Sequence, residues 1–287
     1  MDTDTPPPGL AVNPISSALG AEIAGVDLAR LDDAGFAAIH AAFLEHQVLV
    51  FRDQSLTPAQ YIALARRFGQ PDIYPFAKGL EGHPEITMIV KEAHQTSNFG
   101  GMWHSDTTYK PKPPKATMLM AVATPPTGGD TLFACQYKAY ETLSDGLRRL
   151  LGGLDGVSSS AKNASALRTT HLATGSMKAT GKAAETLTAT HPTVRRHPET
   201  GRPALYLNRS HTTSFADMTP AESAPLLDYL FDHQIQPEFT ARIRWHAGTV
   251  VIWDNRSSQH CAINDYDGHR REMWRITLEG EAPEGAS

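Results

Sequence analysis

The chain has 287 residues, 40% of them hydrophobic and 20% charged, with a net charge of −5. It is long enough to bury a full core as one domain, because β-barrel folds reach about 200–250 residues without splitting. The acidic balance creates no basic field for nucleic acid, and the longest apolar runs, such as Gln47-Val48-Leu49-Val50-Phe51, fall far short of a membrane span.

The opening Met1-Asp2-Thr3-Asp4-Thr5-Pro6-Pro7-Pro8-Gly9 is acidic and proline-rich, without the basic and apolar regions of a signal peptide, and is expected to be a frayed tail. Residues 1–8 and 280–287 are expected to be loose ends of a single 1–287 domain. Asp32 or Asp33 can cap a helix bearing Phe36, Ile39 and Phe43, and a strand follows over 47–52. Thr57-Pro58-Ala59-Gln60 is a capping box with proline at the first helical position, and Tyr61, Leu64, Ala65 and Phe68 then share one face. Strands over 86–91, 117–123 and 130–134 precede a helix over about 138–151. Residues 158–190 are rich in Ser, Ala, Thr, Lys and Gly without periodicity, which predicts a mobile excursion and a candidate lid. A strand over 204–207 is followed by a second capping box, Thr219-Pro220-Ala221-Glu222, ahead of Leu226, Leu227, Leu230 and Phe231. Strands over 249–253 and 273–278 complete the pattern. Short strands with a few flanking helices predict a mostly β jelly-roll barrel. The two cysteines, Cys135 and Cys261, are far apart and fit reduced thiols in a cytoplasm.

The chemistry concentrates in two places. His104 and Asp106 lie two apart in Trp103-His104-Ser105-Asp106, and on a strand both would face the same way. With the distant His260 they make a 2-His-1-carboxylate set, which holds one Fe(II) on one face and leaves the opposite positions for a co-substrate and O2. The competing reading is a chance His-x-Asp among 13 histidines, with His211 as the substitute ligand to weigh. Zinc would call for a tighter donor set and a nearby general base. The second place is His269-Arg270-Arg271-Glu272-Met273-Trp274-Arg275, where Arg271, Met273 and Arg275 share one strand face. Two arginines aimed into a barrel each require an anion. Arg271 therefore reads as a bidentate clamp for a dicarboxylate co-substrate, and Arg270 as a surface ion-pair partner.

Several blocks then occur in order: Leu19-Gly20-Ala21-Glu22-Ile23-Ala24-Gly25-Val26-Asp27-Leu28, Val50-Phe51-Arg52-Asp53-Gln54, Phe68-Gly69, Trp103-His104-Ser105-Asp106, Gly128-Gly129-Asp130-Thr131, Trp253-Asp254-Asn255-Arg256, His260 and Arg271. Over about residues 19–279 the chain resembles the taurine dioxygenase and 2,4-dichlorophenoxyacetate dioxygenase (TauD/TfdA) family of Fe(II)/2-oxoglutarate oxygenases. The resemblance implies a double-stranded β-helix (jelly roll, cupin-like). It implies that His104, Asp106 and His260 bind iron, and that Thr131 and Arg271 hold the far carboxylate of 2-oxoglutarate. Arg275 would lie by the substrate anion or the near carboxylate. The implied reaction couples oxidative decarboxylation of 2-oxoglutarate to succinate and CO2 with hydroxylation of a small anionic substrate: a sulfonate, sulfate ester, aryloxyacid or amino-acid derivative. A dimer or tetramer is the implied assembly. The sequence departs from the taurine enzymes at Tyr74, which stands where they carry a sulfonate-binding histidine, and over 97–102 ahead of the metal motif. Tyr74, Asn98 and Tyr109 are candidates for the substrate wall, or else they pack the barrel mouth. Two rival functions are a non-catalytic metal-containing jelly-roll binding protein and a metal-dependent hydrolase.

Overall fold

The computed structural model describes residues 10–73, 79–163 and 186–286. Tyr74 lies outside the described residues, as does 164–185, the greater part of the expected lid.

Two sheets face each other. The larger runs in the order β1 (Ala11–Pro14), β2 (Ala21–Ala24), β3 (Val48–Phe51), β15 (Val250–Asp254), β7 (Ala116–Ala123), β17 (Arg271–Leu278), β6 (His83–Lys91) and β5 (Gly79–Leu80), with β4 (Pro71–Asp72) against β17. The smaller is β14 (Thr240–Ile243), β8 (Thr131–Cys135) and β16 (Ser258–Ala262). Strand alternation explains how one sheet serves two cores. Val48, Val50, Leu119, Ala121, Val251 and Met273 pack inward against Phe133, Ala241, Ile243 and Trp245 of the small sheet. Their neighbours Leu49, Phe51, Met118, Met120, Val250, Ile252 and Ile276 pack outward. That outer face is covered by α1 (Asp33–His46) and α2 (Pro58–Phe68) through Ile39, Phe43, Tyr61, Leu64 and Phe68. The arrangement is a jelly roll with helices on one flank, as expected.

Both helices start where their caps predict. The Asp32 carboxylate accepts from the Gly35 amide at 2.8 Å, and Thr57 and Gln60 form the reciprocal capping box. The second box, Thr219 with Glu222, starts the later helix Pro220–His233. The expected single helix over 138–151 is instead two, α3 (Gln136–Glu141) and α4 (Asp145–Leu151). Ser144 has extended backbone, and its hydroxyl accepts from the Leu147 amide, so it opens a new helix instead of continuing the old one. The last helix is therefore α5 (Pro220–His233).

Two smaller sheets extend the barrel: β10 (Thr188–Pro192), β9 (Asp155–Ser159) and β13 (Thr212–Phe215), then β12 (Pro203–Leu205), β11 (Val194–Arg196) and β18 (Glu284–Gly285). The flanks of the expected mobile stretch, 158–159 and 188–190, are thus paired strand. The tail from Gly280, expected to be loose, is also tied down. Glu284 and Gly285 pair with Arg196 and Arg195, and Glu281 accepts from Arg195 at 3.0 Å. Gly280 is required there, because a Cβ would come within 2.0 Å of the Pro113 carbonyl oxygen.

A buried charge cluster closes the end of β15. Asp254 accepts from the Arg256 guanidinium at 2.8 and 2.7 Å and shares a 2.9 Å hydrogen bond with His197 Nε2. Arg256 also donates to Glu199 at 2.7 Å. Burial pushes the Asp254 carboxyl up, but Arg256, by charge and hydrogen bonding, overrides burial and holds it well below the usual carboxylate range. A carboxylate depressed in the fold stabilises it fully above the unfolded pKa of about 3.9 and loses that contribution as pH falls. Asp254→Asn is expected to cost about 3–5 kcal/mol at neutral pH, because it leaves Arg256 short of charge compensation. Urea unfolding across acid pH checks this: the wild type should lose stability below about pH 5, and the variant should lose less over the same range.

Candidate metal centre and active-site cleft

The strand expectation for His104-Ser105-Asp106 is corrected in its geometry. His104 forms a lone antiparallel bridge with His260, its amide donating to the His260 carbonyl at 3.0 Å and its carbonyl accepting from the His260 amide at 2.8 Å. The backbone then leaves the bridge into a turn at Asp106, with Thr107 in the left-handed region at φ 42°. Ser105 points the other way, donating to the Ser258 carbonyl at 2.8 Å. The bridge is what brings two residues 156 positions apart in sequence (260 − 104) side by side, with ring centroids 4.1 Å apart.

His104, Asp106 and His260 are buried, and one donor atom from each lies within 4.8 Å of the others. Asp106 Oδ1 is 3.7 Å from His104 Nε2 and 3.9 Å from His260 Nε2. Two metal–ligand bonds of about 2.1 Å span up to about 4.2 Å, so one ion fits among these atoms. His104 Nδ1 sits 2.6 Å from the Met102 carbonyl, a contact that makes Nδ1 the donor and leaves Nε2 a lone pair. Burial lowers the His104 pKa, with Asp106 opposing, and burial drives the His260 pKa well below its ordinary value. Both imidazoles are therefore neutral at neutral pH, the form that binds a metal. Burial pushes the Asp106 carboxyl up, but the Arg275 guanidinium, helped by the Thr117 hydrogen bond, outweighs it, so Asp106 is ionised. Its Oδ1 is ion-paired with Arg275 Nη2 at 2.7 Å, and Oδ2 accepts from the Thr117 hydroxyl at 2.6 Å. His211, the alternative ligand, meets His104 edge-on at 6.2 Å and stands outside the donor group.

The donors open onto one cleft, lined also by Thr131, Arg271, Arg275, Ile89, Phe99, Gly100, Leu119, Trp253 and Ala262. Arg271 is 7% exposed, and its Nε and Nη2 have no hydrogen-bond partner. Burial lowers its pKa, with Tyr266 and Asp130 opposing. A buried cation that lines a cleft and has two unpartnered donors is a site for an anion. The Gly128-Gly129 turn shapes its surroundings: Gly129 has φ 71°, a Cβ there would sit 3.2 Å from Arg271 Cδ, and its amide is fixed by Asp265 at 2.7 Å. The Thr131 hydroxyl accepts from the Trp245 indole at 3.0 Å, which leaves its proton free to donate into the cleft.

The other sequence candidates fall elsewhere. Asn98 donates to the Ala262 carbonyl at 3.1 Å, beside the lining. Tyr109 is buried with its ring against His211 at 5.0 Å. Both fit the packing alternative better than the substrate wall. The apolar wall of Ile89, Phe99 and Leu119 was missed by the sequence reading; strand alternation on 86–91 and 117–123 carried part of that signal.

Comparison with known proteins now decides the family. The model of the taurine catabolism dioxygenase TauD, TfdA family matches residues 11–277. The chain belongs to this family. An alpha-ketoglutarate-dependent sulfate ester dioxygenase from Pseudomonas putida is 36% identical over 279 residues, covering 96% of this chain and 91% of that protein. An (S)-phenoxypropionate/alpha-ketoglutarate-dioxygenase from Sphingobium herbicidovorans is 35% identical, covering 96% of both chains. The crystal structure of a taurine dioxygenase from Burkholderia xenovorans superposes with a TM-score of 0.80 at 38% identity, covering 97% of this chain and 93% of that one. As a TauD/TfdA-family dioxygenase the protein uses 2-oxoglutarate and acts on small molecules. Among the described residues no helix is long and apolar enough to cross a membrane.

Proposed function

We propose that this family member is an Fe(II)- and 2-oxoglutarate-dependent dioxygenase that hydroxylates a small organic anion, converting 2-oxoglutarate to succinate and CO2. The observation that carries the reading is the shared cleft: three neutral or anionic donors at one end and a buried, under-partnered guanidinium along it. His104, Asp106 and His260 would hold the iron, which when bound would supply O2 activation. Arg271 and the Thr131 hydroxyl bind the far carboxylate of 2-oxoglutarate and orient the molecule toward the metal end. Arg275 compensates the charge of Asp106 and lies where the near carboxylate or substrate anion arrives. Ile89, Phe99 and Leu119 exclude water from the reacting end and offer an apolar wall to the organic part of the substrate.

The named activities of the relatives favour a sulfate ester or an aryloxyacid. In both classes hydroxylation next to the oxygen gives an unstable product that collapses to a carbonyl compound and a released fragment. The two relatives named above are dioxygenases and favour neither the hydrolase nor the binding-protein alternative, and Asp106 is the sole carboxylate among the described lining residues, which leaves no separate general base. A cytoplasmic dimer or tetramer completes the proposal. The test is succinate formation with Fe(II), 2-oxoglutarate and O2 across a panel of alkyl sulfates, aryloxypropionates and alkyl sulfonates. Substrate-dependent succinate is expected with an alkyl sulfate or an aryloxypropionate. Hydrolysis of a panel member without 2-oxoglutarate or O2 would overturn the assignment.

A further inference from the structure

Asp106 is held by a chain of hydrogen bonds that has only one possible direction. The Trp253 indole donates to Asn255 Oδ1 at 3.0 Å. The Asn255 amide nitrogen donates to Thr117 Oγ1 at 3.0 Å. The Thr117 hydroxyl donates to Asp106 Oδ2 at 2.6 Å. Asn255 Oδ1 also accepts from the Asp106 backbone amide at 3.3 Å, so the same side chain touches both ends of that residue. An indole only donates and a carboxylate only accepts, so both termini of the chain are fixed in role. Flipping the Asn255 amide would face an N–H2 toward the indole N–H and the Asp106 amide, and a carbonyl toward the Thr117 hydroxyl, which then loses its donor. All four residues are buried, where an unmade bond of this kind costs about 1–3 kcal/mol.

The chain also reaches the second histidine. The Trp253 ring lies against His260, with centroids 4.7 Å apart, and against Phe133 at 5.6 Å. One indole thus packs against His260 and starts the relay to Asp106.

We propose that Trp253, Asn255 and Thr117 form a positioning relay for the metal centre. It occupies Oδ2 of Asp106 and so presents Oδ1 alone toward His104 and His260. The three are positioning residues, acting on the metal through Asp106 and His260. The inference rests on the metal-site reading above and adds to it a reason why Oδ1 of Asp106 would be the oxygen offered to the ion. It also gives the turn-like Trp253-Asp254-Asn255-Arg256 segment a role in the site.

The test uses the full chain stripped of metal and titrated with Mn(II) alone, followed by electron paramagnetic resonance of the free ion, so no turnover is needed. Thr117→Val keeps the side-chain shape and removes the donor; Thr117→Ser keeps the donor. Removing such a partner typically weakens metal binding about 10–100-fold, so Thr117→Val should raise the Kd by that factor while Thr117→Ser stays within about threefold of wild type. Trp253→Phe keeps an aromatic ring against His260 and removes the first donor; it should weaken Mn(II) binding severalfold and covers the case in which Thr117→Val fails to fold. Folded Thr117→Val or Trp253→Phe protein with wild-type affinity overturns the relay, whatever its loss of thermal stability. A wild-type protein that binds no Mn(II) overturns the metal-site reading itself, and the relay with it.

Discussion

Asp106→Ala is expected to lose metal binding and turnover together, and to lose about 3–5 kcal/mol of stability as well. The first loss follows from removing the atom that faces both His104 Nε2 and His260 Nε2. The second is less obvious. Arg275 is 5% exposed, and its Nη2 forms an ion pair with Asp106 Oδ1 at 2.7 Å. Deleting the carboxylate strands a buried guanidinium, and an uncompensated buried charge costs more than the pair contributed. The double variant Asp106→Ala, Arg275→Met should therefore recover most of the stability and none of the metal binding. Calorimetric metal titration and urea unfolding on the single and double variants separate the two effects. A single variant as stable as wild type would contradict the buried-pair argument.

Arg271→Met should have the opposite balance. Truncating one partner of a buried, hydrogen-bonded charge pair costs about 2–5 kcal/mol, which is roughly a 30- to several-thousand-fold rise in KM for 2-oxoglutarate. Metal binding should be nearly unchanged, since Arg271 contributes no donor to the His104, Asp106 and His260 group. The ligand-free protein should become more stable by about 1–3 kcal/mol, because Nε and Nη2 of Arg271 are buried without partners and an apolar chain of similar length removes that burden. Site residues held in costly arrangements behave this way when replaced. A KM within a factor of two of wild type would remove Arg271 from the co-substrate site.

Much of the site was legible because its residues sit on regular elements. The alternation of Arg271, Met273 and Arg275 predicts that both arginines share the inner face of β17, and the cleft contains both. The capping boxes at Thr57 and Thr219 located two helices to the residue. Other parts depend on contacts between distant segments. His104 and Asp106 share a face through a bridge to His260 and a left-handed Thr107, where the sequence offered only a period of two. Strands β9 and β10, reading Asp-Gly-Val-Ser-Ser and Thr-Ala-Thr-His-Pro, carry little apolar alternation; their pairing with each other makes them strands. Ser144 carries an N-cap signal inside the 138–151 stretch, and it is this cap that divides the stretch into two helices. The Trp253–Asn255–Thr117 relay joins residues 138 positions apart, and no local pattern in the sequence pairs them.

The central claim is that one cleft binds iron through His104, Asp106 and His260 and 2-oxoglutarate through Arg271. Anaerobic titration of the metal-free protein with Fe(II) and 2-oxoglutarate tests it most directly, through the weak visible absorption that arises when the two bind together. The account predicts that band in the wild type, its loss in Asp106→Ala, and a shift to much higher 2-oxoglutarate concentration in Arg271→Met. A folded wild-type protein that binds Fe(II) and gives no band at saturating 2-oxoglutarate would contradict the account.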